Sequence, residues 1–475
     1  MPDNRFDLII IGAGPGGYVA AIRAAQLGMK VAIVEKRGRP GGVCLNEGCI
    51  PSKALLDSSE LFALARDRFS LHGILTDPPR LDLAAMMNRK DDIVKKLTDG
   101  ISYLFKKNGV TVFYGNGSLA PRDAGEGEHR VEVAPLESGD EPVFLVGGKI
   151  LLATGSEASP LPGVDFDGRH VINARDALSF LSPPGGIVIA GAGAIGLELG
   201  SVWRRLGAEV TVIEMLPTIL PMMDRQISDT IYRSLRKQGM KFRLSARITS
   251  VEKRDDATVV AYSDESGEGE EVCDTLLVSV GRRPLTAALR LEEAGVRLDE
   301  KGRVIIDHNY ESSVPGIYAI GDIVPGPMLA HKASEEGIVC VERMAGHKSV
   351  VEYSYIPGVV YTWPEAAGVG MTEEELKEKG IVYKTGKFSF AALGRARCMD
   401  ETEGFVKIIA DAATERVLGI HMVGARSSDM IAEGVAFMSF SGTARDMALT
   451  CHAHPTLSEA FREAALDVYK EALHI

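Results

Sequence analysis

Basic residues, cysteines and uninterrupted apolar stretches are all in short supply in this chain. Lysine and arginine total 53 against 65 aspartates and glutamates, a formal charge of −12 at pH 7. No Lys/Arg-rich run offsets that balance. Such a surface repels phosphate backbones and argues against nucleic acid as a partner. The longest stretch without a charged residue, 177–197, is interrupted by Ser182-Pro183-Pro184-Gly185-Gly186, so no transmembrane helix fits there and no membrane partner is expected. Residues Met1 to Asp7 lack the basic opening of a signal peptide. Six unevenly spaced cysteines in 475 residues suit a reducing compartment in which any disulfide would be catalytic. A cytoplasmic setting is expected, with a processed organelle form as the other compartment the sequence allows.

What is present is ordinary in bulk and unusual in one respect. Apolar residues make up 45% and charged residues 25% of the chain, the balance of a globular protein of about three domains. Glycine is over-represented, at 51 residues against a typical ~7%. Many positions therefore need tight turns or close approach of backbone to a ligand.

An internal repeat accounts for part of that glycine. Leu8-Ile9-Ile10-Ile11 reads as a buried strand, followed by Gly12-Ala13-Gly14-Pro15-Gly16-Gly17, a helix to about Leu27, a Gly28 cap and a strand Val31–Val34 ending in Glu35. Downstream, Ile187–Ala190 runs into Gly191-Ala192-Gly193-Ala194-Ile195-Gly196, a helix to Leu206, Gly207, and Val210–Ile213 ending in Glu214. In both copies the acid follows the first glycine by 23 residues. Gly12 and Gly191 make the turn, Gly14 and Gly193 let backbone approach a pyrophosphate, and Gly17 and Gly196 let helix and strand pack. The helix N-terminus offers free N–H groups to phosphate, and the acid accepts ribose hydroxyls. Two dinucleotides per chain are predicted.

Between and beyond the copies the pattern is mixed. Residues 84–107 read as one amphipathic helix with Ile93, Leu97, Ile101, Leu104 and Phe105 on its buried face. Segments 130–152 and 247–280 alternate like antiparallel meanders, with acidic glycine-rich turns at 124–128 and 264–271. From about Tyr353 an α+β unit begins, with strands around 355–370 and 404–424 and helices near 428–440 and 457–472.

The most specific signal is Gly41-Gly42-Val43-Cys44-Leu45-Asn46-Glu47-Gly48-Cys49-Ile50-Pro51-Ser52-Lys53. Two thiols close to a nucleotide site invite a redox reading, whereas Cys273, Cys340 and Cys398 read as small hydrophobes. In an ideal helix, positions i and i+5 lie roughly 8–9 Å apart, beyond the ~7 Å reach of a disulfide, so bridging Cys44 and Cys49 needs a distorted turn. Lys53, one helical turn past Cys49, would place a cation over that thiolate. Cys451 with His452 and His454 lacks a second ligand cluster, and no metal is expected.

These motifs, together with Ala153-Thr154-Gly155-Ser156, Ser279-Val280-Gly281-Arg282, Tyr318-Ala319-Ile320-Gly321-Asp322, Met328-Leu329-Ala330-His331-Lys332-Ala333 and His452-Ala453-His454-Pro455-Thr456-Leu457-Ser458-Glu459, resemble the flavoprotein disulfide reductases over essentially the whole chain. The resemblance is strongest to the branch that oxidises dihydrolipoyl groups with NAD. It implies an α/β fold with two Rossmann-like domains and a C-terminal α+β dimerisation domain. The implied boundaries are 1–156 and 284–352 for FAD, 157–283 for NAD and 353–475 for the interface. It implies that Gly12, Gly14, Gly17, Glu35, Lys53, Gly117, Thr154, Gly155, Ser156, Asp322, Met328, Leu329, Ala330 and His331 bind FAD. Gly191, Gly193, Gly196, Glu198, Glu214, Ile248 and Gly281 would serve NAD, with Glu198 pairing with Lys53. The implied cycle is disulfide exchange at Cys44, a charge-transfer contact from Cys49 to the flavin, and hydride passage to NAD. A homodimer with shared active sites and a lipoyl-carrying partner protein, an acyltransferase or a glycine cleavage carrier, follow from the same resemblance.

Dithiol attack needs a base, because a thiol with pKa near ~8.5 is mostly protonated at neutral pH. His454 has the best context: Pro455 fixes the chain beside it and Glu459 can orient its ring. Thr456 to Glu459 also reads as a capping box for the last helix, in which Glu459 would bond the Thr456 backbone. The implied base reaches the cysteine pair of the other subunit. Three positions depart from the commonest family pattern: Val43 in place of Thr, Glu47 in place of an apolar or basic residue, and Trp363 in place of a polar one. Glu214 argues against NADPH-dependent relatives, and the tail Glu471-Ala472-Leu473-His474-Ile475 carries no extra cysteines.

Overall fold

The computed structural model describes residues 4–121, 128–137 and 141–474. It divides into two compact units, one built from residues 1–54, 84–159 and 281–351, the other from 55–83, 160–280 and 352–475.

The first unit is organised by its most apolar segment. Strand Arg5–Ile11 lies parallel between Val31–Glu35 and Val143–Leu152, and Thr111–Tyr114 continues the sheet beyond Val31–Glu35. Leu8, Ile9 and Ile10 have no exposure at all, as expected of a strand covered on both faces. Each such side chain contributes ~1.5–3 kcal/mol by leaving water. Strand Ile317–Ala319 joins Val143–Leu152 in parallel. His129–Ala134 and Asn116–Leu119 complete the seven-stranded sheet in antiparallel fashion. The meander expected over 130–152 therefore holds only for its first half. The apolar second half, Lys149–Leu152, is a central strand of the parallel sheet. The turn expected at 124–128 lies, apart from Glu128, outside the described residues.

Helix Leu83–Asn108 forms where expected, but its buried face is rotated. Val94, Thr98, Ile101 and Phe105 are buried, whereas Leu97 and Leu104 are exposed at 43% and 37%. The spacing 94, 98, 101, 105 satisfies the helical period as well as the expected one does, and packing selects it. Helix Pro15–Gln26 and helix Ala330–Met344 approach through glycine. A Cβ on Gly337 would lie 2.6 Å from the Gly16 carbonyl oxygen, and one on Gly16 would lie 3.0 Å from that of Ala333.

In the second unit five parallel strands run in the order Lys241–Arg243, Glu209–Ile213, Gly186–Ala190, Thr275–Val278, Val171–Ile172. Arg247–Arg254, Ala257–Asp264 and Gly267–Cys273 form an antiparallel sheet. The turn expected over 264–271 shrinks to a tight hairpin in which Asp264 pairs with Gly267, because the acidic residues beyond it alternate along a strand. Residues 275–278, expected in the same meander, join the parallel sheet instead.

The C-terminal part of this unit is a five-stranded antiparallel sheet, ordered Gly358–Val360, Glu365–Gly370, Val417–Gly424, Phe405–Asp411, Tyr383–Ser389. Helices Ser427–Ser439 and Glu459–Asp467 accompany it, and Phe388, Phe390, Ile408, Ile420, Met422 and Phe461 fill the core. The last helix is shorter than the expected 457–472, since Lys470 takes a left-handed turn at φ 63°. Gly386 admits that helix: a Cβ there would lie 2.1 Å from the Ala464 carbonyl oxygen. Among the described residues no helix is long and apolar enough to cross a membrane.

Candidate active site

The two glycine motifs fold into cradles of matching backbone geometry. Gly12 and Gly191 adopt φ 105° and 99°, the left-handed region that favours glycine. A Cβ on either would strike the end of the neighbouring strand, 2.4 Å from the Ala153 oxygen or 2.7 Å from that of Ser279. Gly17 and Gly196 face the first glycine's own carbonyl, at 1.9 and 2.5 Å for a Cβ. Gly14 and Gly193 are the residues before helices Pro15–Gln26 and Ala194–Arg205, extended and without a side-chain cap. A Cβ on Gly193 would meet nothing within 4 Å, and one on Gly14 only Gly42 Cα at 3.9 Å. Open space at an uncapped helix N-terminus is what a pyrophosphate requires.

The terminal acids are held identically. Glu35 accepts from the N–H groups of Ala13 and Arg37, both at 2.9 Å. Glu214 accepts from Ala192 at 2.7 Å and Leu216 at 2.9 Å. Both carboxylates are fixed in place before any ribose arrives. These features fit a dinucleotide at each cradle.

The cysteine segment packs directly on the first cradle. Gly41 donates to the Ala13 carbonyl at 2.8 Å, and a Cβ on Gly42, at φ 58°, would lie 2.6 Å from Gly14 Cα. Helix Gly42–Glu47 carries Cys44, and helix Cys49–Asp67 starts at the second thiol. Gly48, at φ −140° and ψ −115°, breaks the two apart, which is the distortion the spacing demands. Asn46 ties the first helix down through the carbonyls of Pro40 and Gly42 at 3.1 and 2.8 Å. Cys44 and Cys49 stand in the dithiol form. The hydrogen bond between them, reinforced by burial, pushes the Cys44 thiol well above its usual range, while the Lys53 ammonium works in the opposite direction.

Around this pair stands a relay the sequence did not announce. Arg282 donates through Nε to Ser156 Oγ at 2.7 Å and through Nη2 to the Ser156 carbonyl at 2.6 Å. Ser156 Oγ in turn donates to the Asp322 carboxylate. Burial lowers the Arg282 pKa, with Asp322 and the Cys49 sulfur opposing that effect. Arg282 ends the Ser279-Val280-Gly281-Arg282 motif, whose spacing reveals no partner. Thr154 Oγ1 donates to the Leu285 carbonyl at 2.7 Å, and Gly155 turns at φ 73°. Gly281, at φ 133°, opens the short strand Arg282–Pro284 paired with Ser156–Ala158. Gly117 leaves room against Ile11 and Val34, each 3.0 Å from where a Cβ would be. Met328 and Leu329 precede helix Ala330–Met344, and His331 is an exposed residue of its first turn.

In the second unit Glu198 is buried on helix Ala194–Arg205 and accepts from the Tyr361 N–H at 3.0 Å. Ile248 is half-buried on Arg247–Arg254, opposite Tyr262 and beside a bulge. His454 is 78% exposed, and its Nδ1 lies 2.9 Å from one Glu459 oxygen. The other oxygen accepts from the Thr456 N–H at 2.9 Å. Orienting the ring and bonding the Thr456 backbone, two alternatives on paper, occur together. Thr456 Oγ1 turns away to the Ala453 carbonyl, so the reciprocal capping box does not form. Burial opposes the charge on Glu459, but the Thr456 N–H and His454 outweigh it and hold the carboxyl below its usual range. His452 is taken by Glu433 at 2.6 Å, and among the described residues no group of His, Cys, Asp and Glu is arranged to hold a metal.

Two of the three unusual positions have local partners. Glu47 pairs with Arg37 at 3.3 Å. Trp363 lies under the guanidinium groups of Arg68 and Arg205, at 5.1 and 5.8 Å, and donates from its indole to Glu401 at 3.0 Å. Nothing in the structure explains Val43.

Comparison with known proteins adds the family. The model of the pyridine nucleotide-disulphide oxidoreductases matches residues 6–337, and that of their dimerisation domain matches 356–465. Dihydrolipoyl dehydrogenase 3 of Pseudomonas putida is 50% identical over 475 residues, covering 99% of this chain and 100% of its own. The mitochondrial dihydrolipoyl dehydrogenase 1 of Arabidopsis thaliana is 46% identical over 472 residues, covering 99% and 91%. The crystal structure of LpdA from Mycobacterium tuberculosis superposes with a TM-score of 0.89 at 25% identity, over 97% of this chain and 98% of that one. With one family model spanning both cradles and the thiols, and half of its residues shared end to end with a single relative, the chain belongs to the pyridine nucleotide-disulphide oxidoreductases.

Proposed function

We propose that this chain reoxidises protein-bound dihydrolipoyl groups, using the Cys44–Cys49 pair, FAD and NAD. The observation that carries the reading is the pair of thiols at the junction of two separate helices, on a segment packed against a dinucleotide cradle. Its full-length relatives named dihydrolipoyl dehydrogenase support the substrate. Gly12, Gly14, Gly17 and Glu35 would hold the adenosine half of FAD, with Gly117, Thr154, Gly155, Ser156, Asp322 and residues 328–331 along the rest. Gly191, Gly193, Gly196, Glu198, Glu214, Ile248 and Gly281 would hold NAD, and Lys53 would lie by the flavin ring. FAD, held there, would supply the two-electron chemistry between the dithiol and the nicotinamide.

The protein's own part is thiol exchange. In the oxidised protein, where Cys44 and Cys49 are joined as a disulfide, a substrate thiolate attacks the Cys44 sulfur, the Cys44–Cys49 bond breaks, and Cys49 leaves as the thiolate. The second substrate thiol gives its proton to His454 Nε2 and attacks the mixed disulfide, forming the lipoyl disulfide and releasing Cys44, which takes that proton back from His454. Glu459 fixes the ring through Nδ1 and leaves Nε2 for this proton. Cys44 holds its own proton because ionising it would place two charges on neighbouring sulfurs.

The active form is a homodimer in which His454 of one chain serves the cysteine pair of the other. Residues 353–475 make the interface, 157–283 the NAD domain, and 1–156 with 284–352 the FAD domain. The partner is a lipoyl-carrying protein, met in a reducing compartment such as the cytoplasm. Co-expression of His454→Gln with Cys49→Ser chains tests the shared site. Heterodimers should regain a fraction of wild-type dithiol oxidation, while each parent loses at least a hundredfold and stays yellow. Assembled heterodimers as inactive as the parents would refute the shared site. Wild-type protein that neither binds flavin nor oxidises dihydrolipoamide would refute the function.

A further inference from the structure

Helix Ala330–Met344 carries an ion pair that is entirely cut off from water. Lys332 and Glu336, one helical turn apart, both have 0% side-chain exposure, and Nζ lies 3.0 Å from Oε1. The same two side chains grip one residue of the chain. Lys332 Nζ donates to the Gly321 carbonyl at 2.9 Å, and the Gly321 N–H donates to Glu336 Oε2 at 2.8 Å. Gly321 sits at φ 77° and opens the short 3-10 turn Gly321–Ile323. The next residue is Asp322, whose carboxylate accepts from Ser156 Oγ at the head of the Arg282 relay. Gly326, at φ 113°, makes room for the lysine stem: a Cβ there would lie 3.2 Å from Lys332 Cε.

Burying two charges is expensive, and a hydrophobic pair of the same volume commonly holds a helix on its sheet as well or better. A hydrophobic pair could not bond both the N–H and the C=O of a single peptide residue. The pair therefore does something that packing alone cannot: it pins the backbone immediately before Asp322 from a helix whose first residues are Ala330 and His331. We propose that Lys332 and Glu336 are positioning residues for the flavin site, setting Asp322 against the ribityl hydroxyls and fixing that contact relative to the helix N-terminus beside the isoalloxazine. The proposal rests on the reading of Asp322 as a ribityl ligand.

The test compares FAD release from four holoenzymes: wild type, Asp322→Asn, Lys332→Met/Glu336→Leu, and the triple variant. Release is followed by the rise of free-flavin fluorescence on dilution, with the melting temperature recorded alongside. The double variant should fold with a similar melting temperature and release FAD at least tenfold faster. Asp322→Asn should speed release about tenfold in wild type but less than twofold in the double variant. Release within twofold of wild type, or the same factor for Asp322→Asn in both backgrounds, overturns the positioning role alone. No effect of Asp322→Asn in wild type overturns the ribityl reading and the proposal with it. If the double variant fails to accumulate, Gly321→Ala perturbs the same peptide without touching the charges. It should show the same faster release and the same loss of Asp322 dependence, and release within twofold of wild type would again overturn the proposal.

Discussion

The two nucleotide cradles share their glycines and their clamped acids, yet their surroundings differ. In the first, Glu35 is 3% exposed, the cysteine segment lies on Gly14, and helix Ala330–Met344 presses on Gly16. In the second, Glu214 is only partly buried. A Cβ on Gly193 would meet nothing at all. One turn has been enclosed and the other left accessible. The same local chemistry can thus serve a resident group in one place and an exchanging coenzyme in the other, with the difference set by what is packed around it.

The strongest way to break that contrast is through the third glycines. Gly17→Ala brings a methyl 1.9 Å from a backbone oxygen inside the enclosed cradle, so a loss of about 4 kcal/mol or more is expected. Little soluble yellow protein should be recovered. Gly196→Ala, at 2.5 Å, should leave the flavin bound and raise the KM for NAD at least tenfold. Equal damage to flavin content from both changes would remove the distinction.

The acids should divide next. Wild type is expected to prefer NAD over NADP by about a hundredfold or more in kcat/KM, since Glu214 would face the 2′-phosphate of NADP. Glu214→Ala should reduce that preference to about tenfold or less. Glu35→Ala should alter flavin retention and leave the coenzyme preference unchanged. Equal use of both coenzymes by wild type would contradict the role given to Glu214.

A smaller effect belongs to Glu459. Its carboxyl is held below the usual range in the folded chain, so its stabilisation is complete above the unfolded value of ~4.3 and fades as pH falls through the lower native value. The stability difference between wild type and Glu459→Gln should shrink as pH falls below about 4.5 and stay under about 1 kcal/mol throughout. A difference that grew below pH ~4.5 would mean that the native carboxyl is protonated more easily than the unfolded one. Smallest of all is Glu47→Gln. Its half-exposed pair with Arg37 is worth ~0–1 kcal/mol, so melting should shift by a degree or two and the flavin should stay bound.

Legibility followed the range of the interactions. Strand, glycine turn, helix and acid are contiguous, so Gly12 to Glu35 and Gly191 to Glu214 were readable to within a residue or two. The helix break between the thiols was readable from spacing alone. Lys332 and Glu336 were not, because a lysine and a glutamate four apart on a helix ordinarily mark a solvated face. Only the tertiary fold closes water off from them. Arg282 and Ser156 are far apart in sequence and meet across a short strand pair. The buried stripe of helix Leu83–Asn108 was off by one residue because two stripes satisfy the same period. The 457–472 helix was overextended because the turn at Lys470 is made by a residue with no turn signature.

The glycine contact between helices Pro15–Gln26 and Ala330–Met344 has a consequence of a mechanical kind. Where backbone touches backbone at Gly16 and Gly337, no rotamer can absorb a change of size. The separation of the two helix N-termini is then a fixed gauge length, set by van der Waals radii. Any side chain added at either position would lengthen the gauge itself, and a molecule that must reach from one N-terminus to the other would register the change along its whole length.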